Sequence, residues 1–586
     1  MNALDVTDLS IDFPTARGVV HALTDLSFAV APGRRLGIIG ESGSGKTTTA
    51  LAVMRMLASP GFVSGGSIRV GELDVLAVPE EEMRRARLRR VSYIPQGAMN
   101  SLNPVMRVED QLKDAIVAHE GRIGKEVIRT RLDDAFAGVG LPGHAGLLYP
   151  HELSGGMKQR VCIALGVILT PELIIADEPT SALDVVTQRQ VMQTLKDVQG
   201  RIGAALILIG HDMGLMAQSV DELVVLKDGV LVEHGDVRRV IENPHHPYTR
   251  ELVASVPLVG GESFLGRPAA APEIARPRED RPLLEFENVR KDYGGITALH
   301  PMNFSLNGDE PKIISIVGQS GSGKSTMGSI MLGFNPPSAG RVLFEGQDIA
   351  GMSPQQSRDF RKNVQAVFQD PYACFNPFYR VDHSLSFPFR KFGYATSNAQ
   401  VQDRMHEACR AVGLDPALIL RRYPHELSGG QRQRLIVARA LMLNPKLLIA
   451  DEPVSMVDAS LRATILKNIY DLKDGHGISI FYITHDLATA YHVSDYVMVL
   501  YKGQVVEAGP PKEVIGDPQH PYTQLLIASI PWPDPGRAWG GATTAAEDIA
   551  ALDAMDRDVP TVFRGDVSGF RLEVGTQEWG AHERDM

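Results

Sequence analysis

Short apolar runs rich in branched side chains, RRLGIIG, ELIIAD and ALILIG, alternate along the first half of the chain with longer stretches of helical character. A strand that is apolar at every position is buried on both faces, and such strands are connected by covering helices. The pattern therefore predicts an α/β fold with a parallel-sheet core. Segments 97–153 and 370–427 lack this strand rhythm and read as inserted helical subdomains. No uninterrupted apolar run reaches the ~18 residues that a membrane-crossing helix requires. The opening MNALDVTDLSIDF has no basic stretch followed by an apolar one, so no secretory signal is read. These features predict a cytosolic chain whose link to any membrane runs through a partner.

The pattern occurs twice. ESGSGKTT at 41–48 returns as QSGSGKST at 319–326, PHELSGG at 150–156 as PHELSGG at 424–430, and IIADEP at 174–179 as LIADEP at 448–453. Asp177 to Asp451, His211 to His485 and Tyr248 to Tyr522 are each offset by 274, whereas Lys46 to Lys324 is offset by 278. One unit was duplicated, with a small length change between the Lys and Asp motifs. The domains are then 1–257 and 283–531. Segment 258–282, rich in Pro, Ala and Gly, reads as a flexible linker. Extended, it reaches up to roughly 80 Å. Residues 532–586 form an acidic tail whose fold the pattern does not specify.

Composition narrows the classes. With 586 residues, 44% hydrophobic and 22% charged, the chain is ordinary globular material. A net charge of -11 argues against a nucleic-acid partner held by phosphate contacts. Cys162, Cys374 and Cys409 fit neither a disulfide framework nor a CxxC metal site and read as packing residues.

Gly40-Glu-Ser-Gly-Ser-Gly-Lys-Thr47 follows a strand and precedes a helical stretch, the context of a phosphate-binding loop. Gly40, Ser42, Gly43, Ser44 and Gly45 turn backbone N–H groups inward around phosphate, with Thr48 behind them. Lys46 adds a positive charge at the β/γ-phosphates, and Thr47 is a Mg²⁺ ligand candidate. Gly318, Ser320, Gly321, Ser322, Gly323, Lys324, Ser325 and Thr326 repeat the set. Each copy then carries a strand ending in an acidic pair, Asp177-Glu178 and Asp451-Glu452. The Asp suits water-mediated Mg²⁺ binding and the Glu suits a general base. A lone pair of this kind is more often a solvated turn; its place downstream of two phosphate loops reverses that. Ser154, Gly155 and Gly156, and likewise Ser428, Gly429 and Gly430, open a helix and suit either an anion site or a plain helix cap.

The order phosphate loop, Gln, LSGG, Asp-Glu, Ser-x-x-Asp, His resembles the ATP-binding cassette, and the resemblance covers both halves. It implies two cassettes packed head to tail within one chain. Lys46, Thr47, Gln96, Asp177, Glu178 and His211 would face Ser428, Gly429 and Gly430; Lys324, Ser325, Gln369, Asp451, Glu452 and His485 would face Ser154, Gly155 and Gly156. It further implies catalytic roles for Glu178, Glu452, His211 and His485, and Mg²⁺ sensing by Gln96 and Gln369, whose loops touch a membrane partner. Phe13 and Tyr293 are the expected adenine-stacking aromatics. One departure is Ser455-Met-Val-Asp458 against Ser181-Ala-Leu-Asp184; it keeps the acid and predicts altered communication between the cassettes.

ENPHHPYTRELVASVP at 242–257 and DPQHPYTQLLIASIP at 517–531 resemble the closing segment of dipeptide, oligopeptide and nickel importer ATPases, including the fused glutathione-type members. The implied function is the ATPase of a peptide importer at the cytoplasmic face of the membrane. It would use ATP and Mg²⁺, dock on two integral-membrane permease subunits and be served indirectly by an external solute-binding protein. Oligosaccharide or nickel are alternative cargoes. No cysteine lies in 258–282 or 532–586, the stretches just past the two segments, so the family's iron–sulfur cluster is not expected, and His245, His246 and His520 do not have metal-site spacing. The rival readings are a ribosome-acting tandem ATPase, which would carry a long charged bridge between cassettes, and a DNA-repair or chromosome ATPase, which would carry large zinc or coiled-coil insertions.

Overall fold

The computed structural model describes residues 1–15, 18–97, 101–181, 183–257, 259–261, 281–370, 373–394, 397–454, 459–537, 539–540, 547, 550–551, 554 and 561–574. Most of the expected linker, and the departing residues Ser455–Asp458, lie outside them. The chain divides into two compact units, Met1–Val256 with Ser529–Glu547, and Pro257–Ala528 with Asp548–Met586.

In the first unit the apolar runs form a six-stranded sheet in the order Val230–Asp236, Glu222–Lys227, Arg35–Ile39, Ala205–Gly210, Leu173–Asp177, Val91–Ile94. All neighbours are parallel except the first pair. Leu173 to Asp177 and Ala205 to Gly210 are buried at every position, which is why these runs show no alternation. A separate antiparallel sheet of Leu4–Thr15, Gly18–Val30, Phe62–Val70 and Leu73–Asp74 supplies a second layer, with the phosphate-loop helix Lys46–Val53 sharing its core. Helices Val108–Glu120 and Lys125–Gly138 make the expected helical insertion. Val108, Leu112 and Ile116 form the buried stripe of one, and Ile128, Leu132 and Phe136 that of the other, each at four-residue spacing.

The second unit repeats this plan. Val364–Val367, Leu447–Asp451, Ser479–Thr484, Ile313–Val317 and Tyr496–Tyr501 are parallel neighbours, and Gln504–Gly509 adds an antiparallel strand. Its insertion contains Val381–Lys391 and Asn398–Ala411, the latter opened by a capping box between Ser397 and Gln400.

The tail has structure that its sequence pattern did not announce. Phe570–Val574 extends the second unit's antiparallel sheet along Ile296–Leu306, with the Phe570 ring against Phe304 and Tyr496. Val562–Phe563 pairs with Gln504–Gly509. Residues 529–547, which straddle the boundary drawn at 531, group with the first unit. There Gln218 donates to the Trp532 and Asp534 carbonyls, and Arg189 donates to the Gly540 carbonyl. Among the described residues, no helix is long and apolar enough to cross a membrane.

Candidate active site

Because Arg35–Ile39, Val91–Ile94, Leu173–Asp177 and Ala205–Gly210 run parallel, whatever follows each of them gathers at one edge of the sheet. The phosphate loop, Gln96, Asp177-Glu178 and His211 all stand there. The loop begins at Gly40, where a Cβ would lie 2.2 Å from the Leu226 carbonyl, so no other residue fits. It ends at Gly45, whose φ of 97° turns the chain into helix Lys46–Val53. The buried Lys46 ammonium donates to the Gly40 and Glu41 carbonyls at 2.7 Å each. Lys324 does the same with Gly318 and Gln319, both at 2.7 Å. Ser42, Gly43 and Thr47, and their counterparts Ser320, Gly321 and Ser325, are exposed, while Ser44 and Ser322 are buried and Thr48 and Thr326 half-buried.

Glu178 and Glu452 are held in the same way. Both take a φ of 46°, a region that non-glycine residues rarely enter, and their N–H groups donate to the Ile209 and Ile483 carbonyls at 2.9 and 2.8 Å. Gln96 Nε2 donates to one Glu178 oxygen at 2.8 Å, and His211 Nδ1 is hydrogen-bonded to the other at 3.0 Å. Gln369 and His485 grip Glu452 at 2.8 and 2.9 Å. Burial pushes both carboxyls up, but the hydrogen bond and charge of the histidine, with the nearby lysine, outweigh it and hold them below the ordinary value. Burial alone would lower His485; the Glu452 carboxylate reverses that and raises it.

The neighbouring aspartates respond oppositely. Burial raises Asp177 against hydrogen bonds from Thr47 and Tyr93. Burial and the Glu452 charge push Asp451 up to about 6 against the Ser325 hydroxyl. A buried carboxylate beside a hydroxyl and an amide is an all-oxygen donor set short of positive charge. The residues Thr47, Asp177 and Gln96, and Ser325, Asp451 and Gln369, therefore fit Mg²⁺, a hard cation that prefers oxygen.

Ser154 and Ser428 cap helices Gly155–Val167 and Gly429–Leu441, accepting from the N–H of Met157 and Gln431 at 3.3 Å each. Gly156 leaves no space for a Cβ, which would meet Thr187 at 2.5 Å. Gly155, Gly429 and Gly430 lie in the first turns of the same helices. Phe13 and Tyr293 occupy equivalent places, paired with Val20 and Ile296 near the ends of matching strands. The Phe13 ring packs closely on Gly61, whereas Tyr293 is 46% exposed with Lys291 5.1 Å from its ring.

Sequence reasoning missed two features. Tyr93 donates to Asp177 at 3.1 Å, and the only signal was an aromatic hydroxyl within the strand VSYI. The His-Pro-Tyr segments also reach the loop: the Glu41 N–H donates to the Tyr248 hydroxyl at 3.0 Å, and the Gln319 N–H to the Tyr522 hydroxyl at 2.8 Å.

The sequence profile of the ABC transporter family matches residues 23–181 and again 299–455. The chain belongs to the ABC transporter family. As an ABC ATPase it binds and hydrolyses ATP, with the two cassettes in tandem. The profile described as the C-terminal region of oligopeptide/dipeptide transporters matches residues 232–278 and 506–556 of this ABC protein. It is 37% identical over 603 residues to a glutathione import ATP-binding protein, GsiA, of Salmonella paratyphi A, covering 96% of this chain and 95% of that one. With the GsiA of Escherichia coli K12 the identity is 38%, covering 94% and 92%. Among solved structures, the dimeric post-hydrolysis state of the cassette MJ0796 bound to ADP and Pi is 23% identical, with a TM-score of 0.37, covering 40% of this chain and 99% of that one.

Proposed function

We propose that this ATPase is the motor of an importer of peptides or of glutathione-like compounds, acting from the cytoplasmic face of the membrane on two permease subunits fed by an external solute-binding protein. The glutathione import relatives along nearly the whole length, and the transporter-type segment closing each cassette, support the importer class. The observation that carries the motor role is the doubled clamp, in which Gln and His fix the two oxygens of one ionised Glu beside a phosphate loop.

In each cassette Lys46 or Lys324 leaves the loop carbonyls for the β/γ-phosphates of ATP. Thr47, Asp177 and Gln96, with Ser325, Asp451 and Gln369, would hold Mg²⁺, which would supply positive charge to the phosphates. Glu178 and Glu452, kept ionised by their partners, accept a proton from the attacking water and orient it in line with the γ-phosphate. His211 and His485 hold that carboxylate in position, and the raised basicity of His485 favours a positive charge near the developing phosphate charge.

A docking face next to the lid supports the permease reading. In the second cassette an open groove of about 540 Å³ lies immediately before Gln369, lined by Phe334, Phe368, Tyr379 and Phe387. All four rings are exposed, and an exposed aromatic surface of this kind is characteristic of a protein contact. A groove that changes shape with the Gln369 loop would pass nucleotide state to a permease helix seated in it.

The test is gentle isolation of the tagged chain from detergent-solubilised membranes, followed by mass spectrometry. Two multi-spanning subunits at one each per chain are expected. Ribosomal proteins without any permease would overturn the importer reading and leave the ATPase intact.

A further inference from the structure

The His-Pro-Tyr segment is fastened at both ends. In the first cassette it opens helix Pro247–Ala254, whose cap is His246: Nδ1 of that ring accepts from the Tyr248 N–H at 3.2 Å. The backbone N–H groups of His245 and His246 donate to the two oxygens of the buried Glu233 at 3.0 and 3.1 Å. The second cassette builds the same device, with His520 Nδ1 accepting from the Tyr522 N–H at 3.1 Å and Glu507 accepting from Gln519 and His520 at 3.0 Å each. The histidines thus serve as helix caps and backbone donors. What they hold rigid is a tyrosine: Tyr522 is fully buried against Tyr501, and Tyr248 is buried with Lys227 4.7 Å from its ring.

Each tyrosine hydroxyl accepts from one particular peptide. The unit joining Gly40 to Glu41 donates its N–H to Tyr248, while its carbonyl accepts from the Lys46 ammonium. The unit joining Gly318 to Gln319 stands between Tyr522 and Lys324 in the same manner. A planar peptide has its N–H and C=O fixed on opposite sides. Holding the N–H therefore fixes where the carbonyl points, and that carbonyl is half of the seat in which the lysine waits without nucleotide.

We infer that Tyr248 and Tyr522 are positioning residues for ATP binding, each orienting the first peptide of its phosphate loop and, through it, the loop lysine. The inference rests on the reading of 40–47 and 318–325 as nucleotide loops. It gives the importer-type C-terminal segment a part in ATP affinity within its own cassette. Loss of the hydroxyl frees the peptide plane to turn, so that the loop spends part of its time unable to receive phosphates. That weakens binding and leaves the hydrolytic clamp alone.

The test uses the full chain carrying Tyr248→Phe and Tyr522→Phe, singly and together, beside a Leu252→Ala/Leu526→Ala control. The leucines are buried in the same helices and touch no loop hydrogen bond named above. The double tyrosine variant is expected to raise KM for ATP three- to tenfold with kcat within twofold. It should weaken inorganic tripolyphosphate, which has no base to stack, by the same factor. The leucine control is expected to lower the unfolding temperature while leaving KM unchanged. An unchanged KM in the double tyrosine variant, or an equal rise in the leucine control, would overturn the inference. A wild-type chain that binds neither ATP nor tripolyphosphate would instead overturn the nucleotide reading of the loops.

Discussion

The two cassettes agree atom for atom where water would be activated and disagree one residue away. Gln, Glu and His make the same clamp in both, with hydrogen bonds between 2.8 and 3.0 Å. The adjoining aspartates differ. Asp177 receives a hydroxyl from Tyr93, whereas the matching strand position in Val364–Val367 is Ala366, which has none to give. Both carboxyls are raised, Asp177 by burial against that hydroxyl and Asp451, by burial first and the Glu452 charge second, up to about 6. Duplication has thus kept the Gln–Glu–His clamp in both halves while the surroundings of the neighbouring aspartate, the proposed metal ligand, have drifted. The most forceful way to break the comparison is to remove the proposed bases, together and then one at a time. Glu178→Gln and Glu452→Gln should together cut ATP turnover by about 100-fold or more. The single variants should leave unequal residual rates in a steady-state phosphate-release assay; identical rates and identical coupling to transport would show that the difference at the aspartates has no consequence.

A second difference lies in the tail. Phe570, 4% exposed, enters the second unit's core through a strand of the C-terminal tail, and among the described residues the first unit's antiparallel sheet has no such added strand. Phe570→Ala should cost about 3–4 kcal/mol, the sum of lost burial and a cavity. In differential scanning calorimetry the loss should appear in one cassette's unfolding and leave the other's unmoved. This strand also shows where the sequence falls silent. The core strands could be read because ELIIAD and ALILIG are apolar throughout, and their repetition at a fixed offset made the duplication plain. RLEV is too short and too polar to register as a strand, and it is made one by a neighbour more than 250 residues earlier in the chain.

Tyr93 gives the matching lesson for the site. Lys46, Asp177, Glu178, Gln96 and His211 were legible because each sits in a motif at the end of a strand, and the parallel sheet brings those ends together. Tyr93 acts from inside a strand, where side-chain direction and not sequence order decides what it touches. Tyr248 and Tyr522 likewise act by side-chain direction, from the first turns of helices, and the sequence offered them only as marks of a transporter segment. To sharpen the comparison, Tyr93→Phe in a Glu452→Gln background should raise the Mg²⁺ needed for half-maximal ATP hydrolysis by about three- to tenfold. That is the scale of a hydrogen bond to a charged group lost from a metal ligand. Ala366→Tyr in a Glu178→Gln background should move the second cassette the opposite way by a smaller factor.

The mildest probe reads the lid groove, where the cassettes differ in surface chemistry. Phe334, Phe368, Phe387 and Arg439 of the second cassette correspond to Met56, Pro95, Asp114 and Leu165 of the first, so an aromatic and cationic face stands where the other is aliphatic and acidic. Cys374 lines the second groove half-exposed, and its counterpart is Ser101. Burial pushes the thiols of Cys162 and Cys409 up to about 11, and it raises Cys374 as well, against the pull of Arg439. The thiolate is the reactive form, so each unit of pH below a thiol's own value removes about tenfold in rate. Iodoacetamide at pH 8 should therefore label the folded chain slowly at Cys374 and still more slowly at the two buried thiols, with all three reacting alike once unfolded. If a permease helix occupies the groove, Cys374 labelling should fall several-fold in the membrane complex relative to the free chain. Equal labelling in the two states would place the permease contact elsewhere and reduce the aromatic face to a difference without a partner.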